Sequence, residues 1–154
     1  MRELIIDTLK KLEPEIKYSD DAVNLIEGTG AHESCGWKYR KQLGNGPALG
    51  LFQMEPATFN DICKNYLKYR PAIEAKIKQI SHVSILSSID LINNDRLAVC
   101  MCRVHYMRQK GAIPDSVEGY AEYWKDHYNT FIGDGTIEEF INNYQKYVEK
   151  EEIT

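Results

Sequence analysis

Long apolar runs are missing from this 154-residue chain. The longest, Leu97 to Cys102, spans six residues, far short of the roughly 20 that a membrane-spanning helix needs. No membrane partner is therefore expected. Basic blocks are missing as well. The net charge is −4, with acidic and basic residues interleaved, a balance that argues against nucleic acid as a partner. Cysteine is sparse: Cys35, Cys63, Cys100 and Cys102 are the only four. Cys100 and Cys102 stand at i and i+2 of a helical pattern and point to different faces, so they share neither a metal nor a disulfide. Combining Cys35, Cys63, His32 and His82 reproduces no zinc spacing, and His105 and His127 have no partner spacing that suggests a metal. The expectation is four reduced thiols, no metal and no cofactor. The N-terminal stretch, MRELIIDTLKKLEPEIK, is charged throughout. It lacks the apolar core and small-residue cleavage site of a signal peptide, so none is expected.

What is present suits a globular domain. Apolar residues make up 43% of the chain and charged residues 27%, and 154 residues can bury one core, so a single domain over 1–154 is expected. Leu4, Ile5, Leu9 and Leu12 fall at helical spacing, closed by Pro14. Ser19 is placed to cap a second helix whose first turn carries Asp20 and Asp21 and which runs to Glu33. From Cys35 to Gln53 the helical pattern fails. Gly36, Gly44, Asn45, Gly46, Pro47 and Gly50 predict a turn-rich loop with room for a small hairpin. Pro56 and Pro71 each suit a helix start. The segment 93–110 is the most apolar and predicts a central helix ended by Gly111 and Pro114. Ser116 caps a helix through Trp124, and Thr136 to Glu139 forms a capping box opening a last helix over 136–150. The fold class expected is mainly α.

Three segments carry chemistry. Glu33, in His-Glu-Ser, ends a helix behind Thr29, Gly30 and Ala31. A carboxyl partly buried there would keep its proton near neutral pH, as a sugar-cleaving acid must. Set against this, a lone glutamate near a helix C-terminus is ordinarily solvated. About twenty residues on comes GLFQMEPAT, Gly50 to Thr58. Its glycine permits close backbone approach, and Gln53 has the donor and acceptor that an N-acetyl sugar requires. Gln53 would otherwise tie the loop to its own backbone. Leu51, Phe52 and Met54 read as core, and Glu55 as a solvated helix-start acid. The third segment, Tyr123 to Thr130, is aromatic enough to stack on a sugar or to pack the last helix.

Glu-Ser, then Gly-Leu-Phe-Gln, then Pro-Ala-Thr resembles the core signature of the lysozyme-like lytic transglycosylases. That resemblance implies a lysozyme-like fold with a small or vestigial β element, its motifs lying within residues 20–130. It implies cleavage of the β-1,4 bond between N-acetylmuramic acid and N-acetylglucosamine in peptidoglycan, with Glu33 as the catalytic acid. Ser34, Gln53, Tyr128 and Asn129 would meet the substrate, Tyr128 standing where the family's tyrosine hydrogen-bonds the acid. After Asn129 the chain departs from the pattern, with Thr130-Phe131 where Ala-Gly is usual. Between Glu33 and Gln53 there is no Asp or Glu, which leans toward the single-acid route over a two-carboxylate muramidase. Asp61, Asp90, Asp126 and Asp134 remain as second acids for the latter. A virion structural or wall-binding protein is the alternative outside enzymes. The stretch Trp124 to Tyr144 is similar to C-terminal stretches of bacteriophage proteins of this kind. It implies a virion-associated enzyme, or one made in a host cytoplasm and delivered to the periplasm and wall. Glycan strands, and other virion proteins, would be its partners.

Overall fold

Ser19 caps the helix on which the rest of the molecule is assembled. Its hydroxyl accepts the Ala22 amide at 3.0 Å and opens α2, Asp20–Glu33. In the computed structural model, which describes residues 1–129 and 135–150, α2 is preceded by α1, Arg2–Lys11. It is followed by α3, Pro56–Asn65, and α4, Pro71–Ser81, each with proline in its first turn, where a missing N–H costs no hydrogen bond. Next come α5, Asp95–Met107, α6, Val117–His127, and α7, Ile137–Asn143, the last continuing as a π-helical stretch over Tyr144–Glu149. Side chains cap three of these helices as well: Asn94 for Leu97, Ser116 for Gly119 and Thr136 for Glu139.

The molecule is a single, mainly helical domain. The loop after α2 forms no strand; it holds only two isolated antiparallel bridges, Lys41 with Leu49 and Leu49 with Met54. The β expectation shrinks to this, and the cause is local. Gly44, Asn45, Gly50 and Gln53 all take positive φ, which turns the chain before a ladder can extend.

Two helices share the centre. In α5, the predicted central helix, Leu97 to Cys102, Val104 and Tyr106 are all buried. α2 is buried from Ala22 to Ala31 apart from Asn24, with α1, α5, α6 and α7 packed around it. Two glycines in its interior make this possible. A side chain at Gly28 would run into the Phe140 and Tyr144 rings, and one at Gly30 into Trp37 and Phe52. Each glycine gives up about 1 kcal/mol of helix propensity for ring-on-backbone packing.

α1 is fastened to α2 by charge. Arg2 Nη1 reaches Oε1 of the fully buried Glu27 at 2.8 Å, and Nη2 donates to Asn24 Oδ1 at 3.1 Å. Asn24 in turn donates to the Tyr120 hydroxyl at 3.1 Å, which donates to Asp21 at 2.6 Å, bringing in α6. Removing Arg2 takes a charge-assisted bond from a fully buried carboxylate. Arg2→Met is therefore expected to lower unfolding free energy by about 3 kcal/mol, read from urea denaturation at pH 7. A loss no larger than that of an exposed control such as Lys41→Met would refute this.

Candidate active site

The end of α2 is built to hold a carboxyl out of water. Past Glu33 the chain turns on Cys35, Gly36 and Trp37, all at positive φ. The Ser34 and Gly36 amides return to the Gly30 and Ala31 carbonyls at 2.9 and 2.8 Å, satisfying helix-end acceptors. Ser34 is fully buried. Its hydroxyl donates to Gly30 O and accepts the Trp37 amide, both at 2.7 Å. It braces the turn behind Glu33 and does not line the cleft, contrary to the substrate contact the motif implied.

The loop that faces Glu33 is held at both ends. Arg40 clasps Asp95 bidentately at 2.6 and 3.1 Å and donates to Ile92 O at 3.0 Å, and its own carbonyl receives the Gly50 amide at 2.7 Å. Gln42 Oε1 accepts the Ala48 amide at 3.0 Å. Leu51, Phe52 and Met54 are buried, as the sequence suggested. Gln53 plays both roles considered for it: Nε2 donates to Gly50 O at 2.9 Å, while the side chain lines the cleft.

This cleft, of about 350 Å³, brings together Glu33, Gln53, Tyr128 and Asn129 with Gln42, Glu55 and His105. Four of the five residues singled out in the sequence thus meet, although Glu33 and Asn129 are 96 positions apart. Tyr128 differs from expectation in its bond. Its hydroxyl donates to the Phe52 carbonyl rather than to the acid, pinning the loop to α6. Asn129 Oδ1 accepts from Lys125 at 3.3 Å. Of the second acids considered, Asp61 is held by Arg108 and Asn65. Asp126 is exposed on α6 and outside the cleft lining, and Asp90 lines a different groove. Asp134, with Thr130 and Phe131, lies outside the described residues. Glu55, exposed at the start of α3, is the second carboxylate that does line the cleft.

Burial pushes the Glu33 pKa up to about 7. The negative end of the α2 dipole works in the same sense. One contact opposes them. Trp124 is fully buried, and its indole N–H, close enough to favour the Glu33 anion, makes no hydrogen bond of good geometry. The indole is held in place by His32, edge-on at 4.6 Å, and by Phe140 at 5.2 Å. His32 is itself fastened to Asn143 of α7 at 2.8 Å, so it orders the wall behind the acid.

The residue that sequence reasoning passed over is His105. It lines the cleft one turn after Cys102 on α5. Its neighbours Arg108 and Asp61 form a contact across 47 positions, which no local spacing reveals. A larger, shallower groove of about 570 Å³ borders Leu4, Ile89 and residues 92–96. Two of its charged side chains are already engaged, Asp95 by Arg40 and Arg96 by Asp7. Among the described residues, no group of three or more His, Cys, Asp or Glu is placed to hold a metal. No described helix is long and apolar enough to cross a membrane. Comparison with protein-family models, curated proteins and solved structures returned no match.

Proposed function

We propose that the protein cleaves the β-1,4 bond between N-acetylmuramic acid and N-acetylglucosamine in peptidoglycan, as a lytic transglycosylase of lysozyme-like fold. The observation that carries this is Glu33, a carboxyl raised by burial to about 7 in a cleft it shares with Gln53, Tyr128 and Asn129. At neutral pH about half of such groups hold their proton, the condition for donating it and later taking one back.

The steps balance with one acid. Glu33 protonates the glycosidic oxygen as the C1–O bond breaks, while the sugar's own acetamido oxygen closes on C1. The resulting Glu33 carboxylate then takes the proton from the C6 hydroxyl, whose oxygen displaces the acetamido oxygen and leaves a 1,6-anhydro sugar. The unpartnered Trp124 N–H supports the second half, because it offers the transient anion a donor that the neutral acid does not use. Glu55 favours a second reading, a two-carboxylate muramidase, since it borders the same cleft and is exposed, as a group that activates a water must be. Virion association and delivery to the wall belong to the same proposal and rest on the resemblance of Trp124 to Tyr144.

Mass spectrometry of the fragments released from purified peptidoglycan tests both chemistries. Anhydromuramic ends are expected. Reducing ends with an added water would transfer the assignment to Glu33 with Glu55, and no release at any pH from 5 to 8 would remove it.

A further inference from the structure

We propose that His105 reads the acetamido group of the bound sugar, as a neutral Nε2–H donor whose tautomer is set by Arg108 and Asp61. The inference rests on the glycan reading above and adds a recognition residue to it.

The tautomer follows from hydrogen-bond chemistry. Arg108 Nη2 lies 3.1 Å from His105 Nδ1. A guanidinium only donates, so Nδ1 accepts and the ring proton sits on Nε2. Arg108 is itself oriented: Nη1 donates to Asp61 Oδ2 at 2.7 Å, and Asn65 holds Asp61 Oδ1 at 2.7 Å. The imidazole plane is fixed edge-on to Tyr128 at 5.1 Å. Nε2 has no hydrogen-bond partner among the described residues and is not sealed from solvent; because His105 lines the cleft, that remaining donor is assigned to it. Burial and the adjacent Arg108 push the His105 pKa down to about 4, with Asp61 opposing. The ring therefore stays neutral wherever Glu33 titrates, and the two groups do not compete for the role of acid.

Gln53 supplies the complement. Its Nε2 is committed to Gly50 O, a carbonyl that fixes the amide's orientation and leaves Oε1 as an open acceptor. A donor on one wall and an acceptor on the other match the C=O and N–H of a secondary amide. A sugar bearing only hydroxyls lacks that pairing, and sites built around specific hydrogen bonds reject analogues that cannot make them.

Two measurements test this. Long-range 1H–15N correlation spectra of the imidazoles at pH 7 need no ligand. They are expected to show His105 protonated at Nε2 alone, with mixed tautomers in Arg108→Met; protonation at Nδ1 in the wild type overturns the proposal. Calorimetry is then done in a Glu33→Gln background with tri-N-acetylchitotriose and its unacetylated glucose counterpart, cellotriose. His105→Phe is expected to weaken the acetylated trimer about tenfold, as the loss of one hydrogen bond implies. It should leave any binding of the glucose trimer unchanged, and His105→Asn, which restores an N–H donor, should recover part of the loss. Equal weakening of both sugars, or none of either, overturns the role of His105 while the glycan reading stands. Absence of binding by the Glu33→Gln protein itself overturns both.

Discussion

Replacing Glu33 by glutamine is expected to cut release of soluble fragments from peptidoglycan by about three orders of magnitude, the contribution typical of a positioned acid. The amide keeps the shape and loses the proton, so the far-ultraviolet circular dichroism should match the wild type. The same variant carries a second signature, which tests the acid's environment without substrate. Glu33 has an ordinary carboxyl pKa of 4.5 and one of about 7 when folded, so folding favours its protonated form. That contribution is fully present below pH 4.5 and is lost as pH rises through about 7. Over that window the wild type should lose about 3 kcal/mol that the amide variant keeps, since each pK unit is worth 1.36 kcal/mol. The variant's melting temperature should therefore equal the wild type's at pH 4.5 and exceed it at pH 8. Parallel curves would mean that Glu33 is solvated, and the acid would have to be sought elsewhere.

Gly50→Ala should be the most damaging small substitution in the loop that carries Gln53. Gly50 holds φ +78°, and an added Cβ would meet the Leu91 carbonyl oxygen inside van der Waals contact. The first effect alone costs roughly 1 kcal/mol. The second presses on backbone that cannot rotate away and adds about 2 kcal/mol. Together they predict a melting temperature lower by roughly 10 °C for a domain of this size. Gly44→Ala separates the two terms, because Gly44 has nearly the same φ, +73°, with nothing within 4 Å of the added carbon. It should lose only the first. Equal losses at both positions would show that the Leu91 contact yields. In the folded fraction, Gly50→Ala should also slow turnover, because the Gly50 carbonyl is what Gln53 holds.

The helix positions were legible because each is written locally. Ser19, Ser116 and Thr136 are caps read from a few neighbouring residues, and Pro56 and Pro71 mark helix starts. The convergence of Glu33, Gln53, Tyr128 and Asn129 was legible only through a motif, since nothing in spacing says that α6 returns to the end of α2. Ser34 shows the limit of that reasoning. Adjacency to Glu33 suggested a ligand contact, whereas a residue following a helix end is as readily turned inward to satisfy the helix's last carbonyls. Tyr128 stands in the expected cleft, yet its hydroxyl is drawn to the Phe52 carbonyl, an acceptor on buried chain that has to be satisfied. His105 escaped notice because its significance lies in Arg108 and Asp61, a partnership made by the packing of α3 against α5.

The distribution of thiols has a practical consequence for spectroscopy. Cys100 and Cys102 are sealed in α5, and burial raises both thiols, Cys100 to about 12. Cys63 is half-buried and raised as well. Cys35 alone is exposed, on the turn two residues beyond Glu33. A maleimide dye at neutral pH will therefore select Cys35 in the natural sequence. It installs a fluorophore beside the end of α2 with no engineered cysteine, so that the proposed glycan binding and the ionisation of Glu33 can be followed as changes in emission.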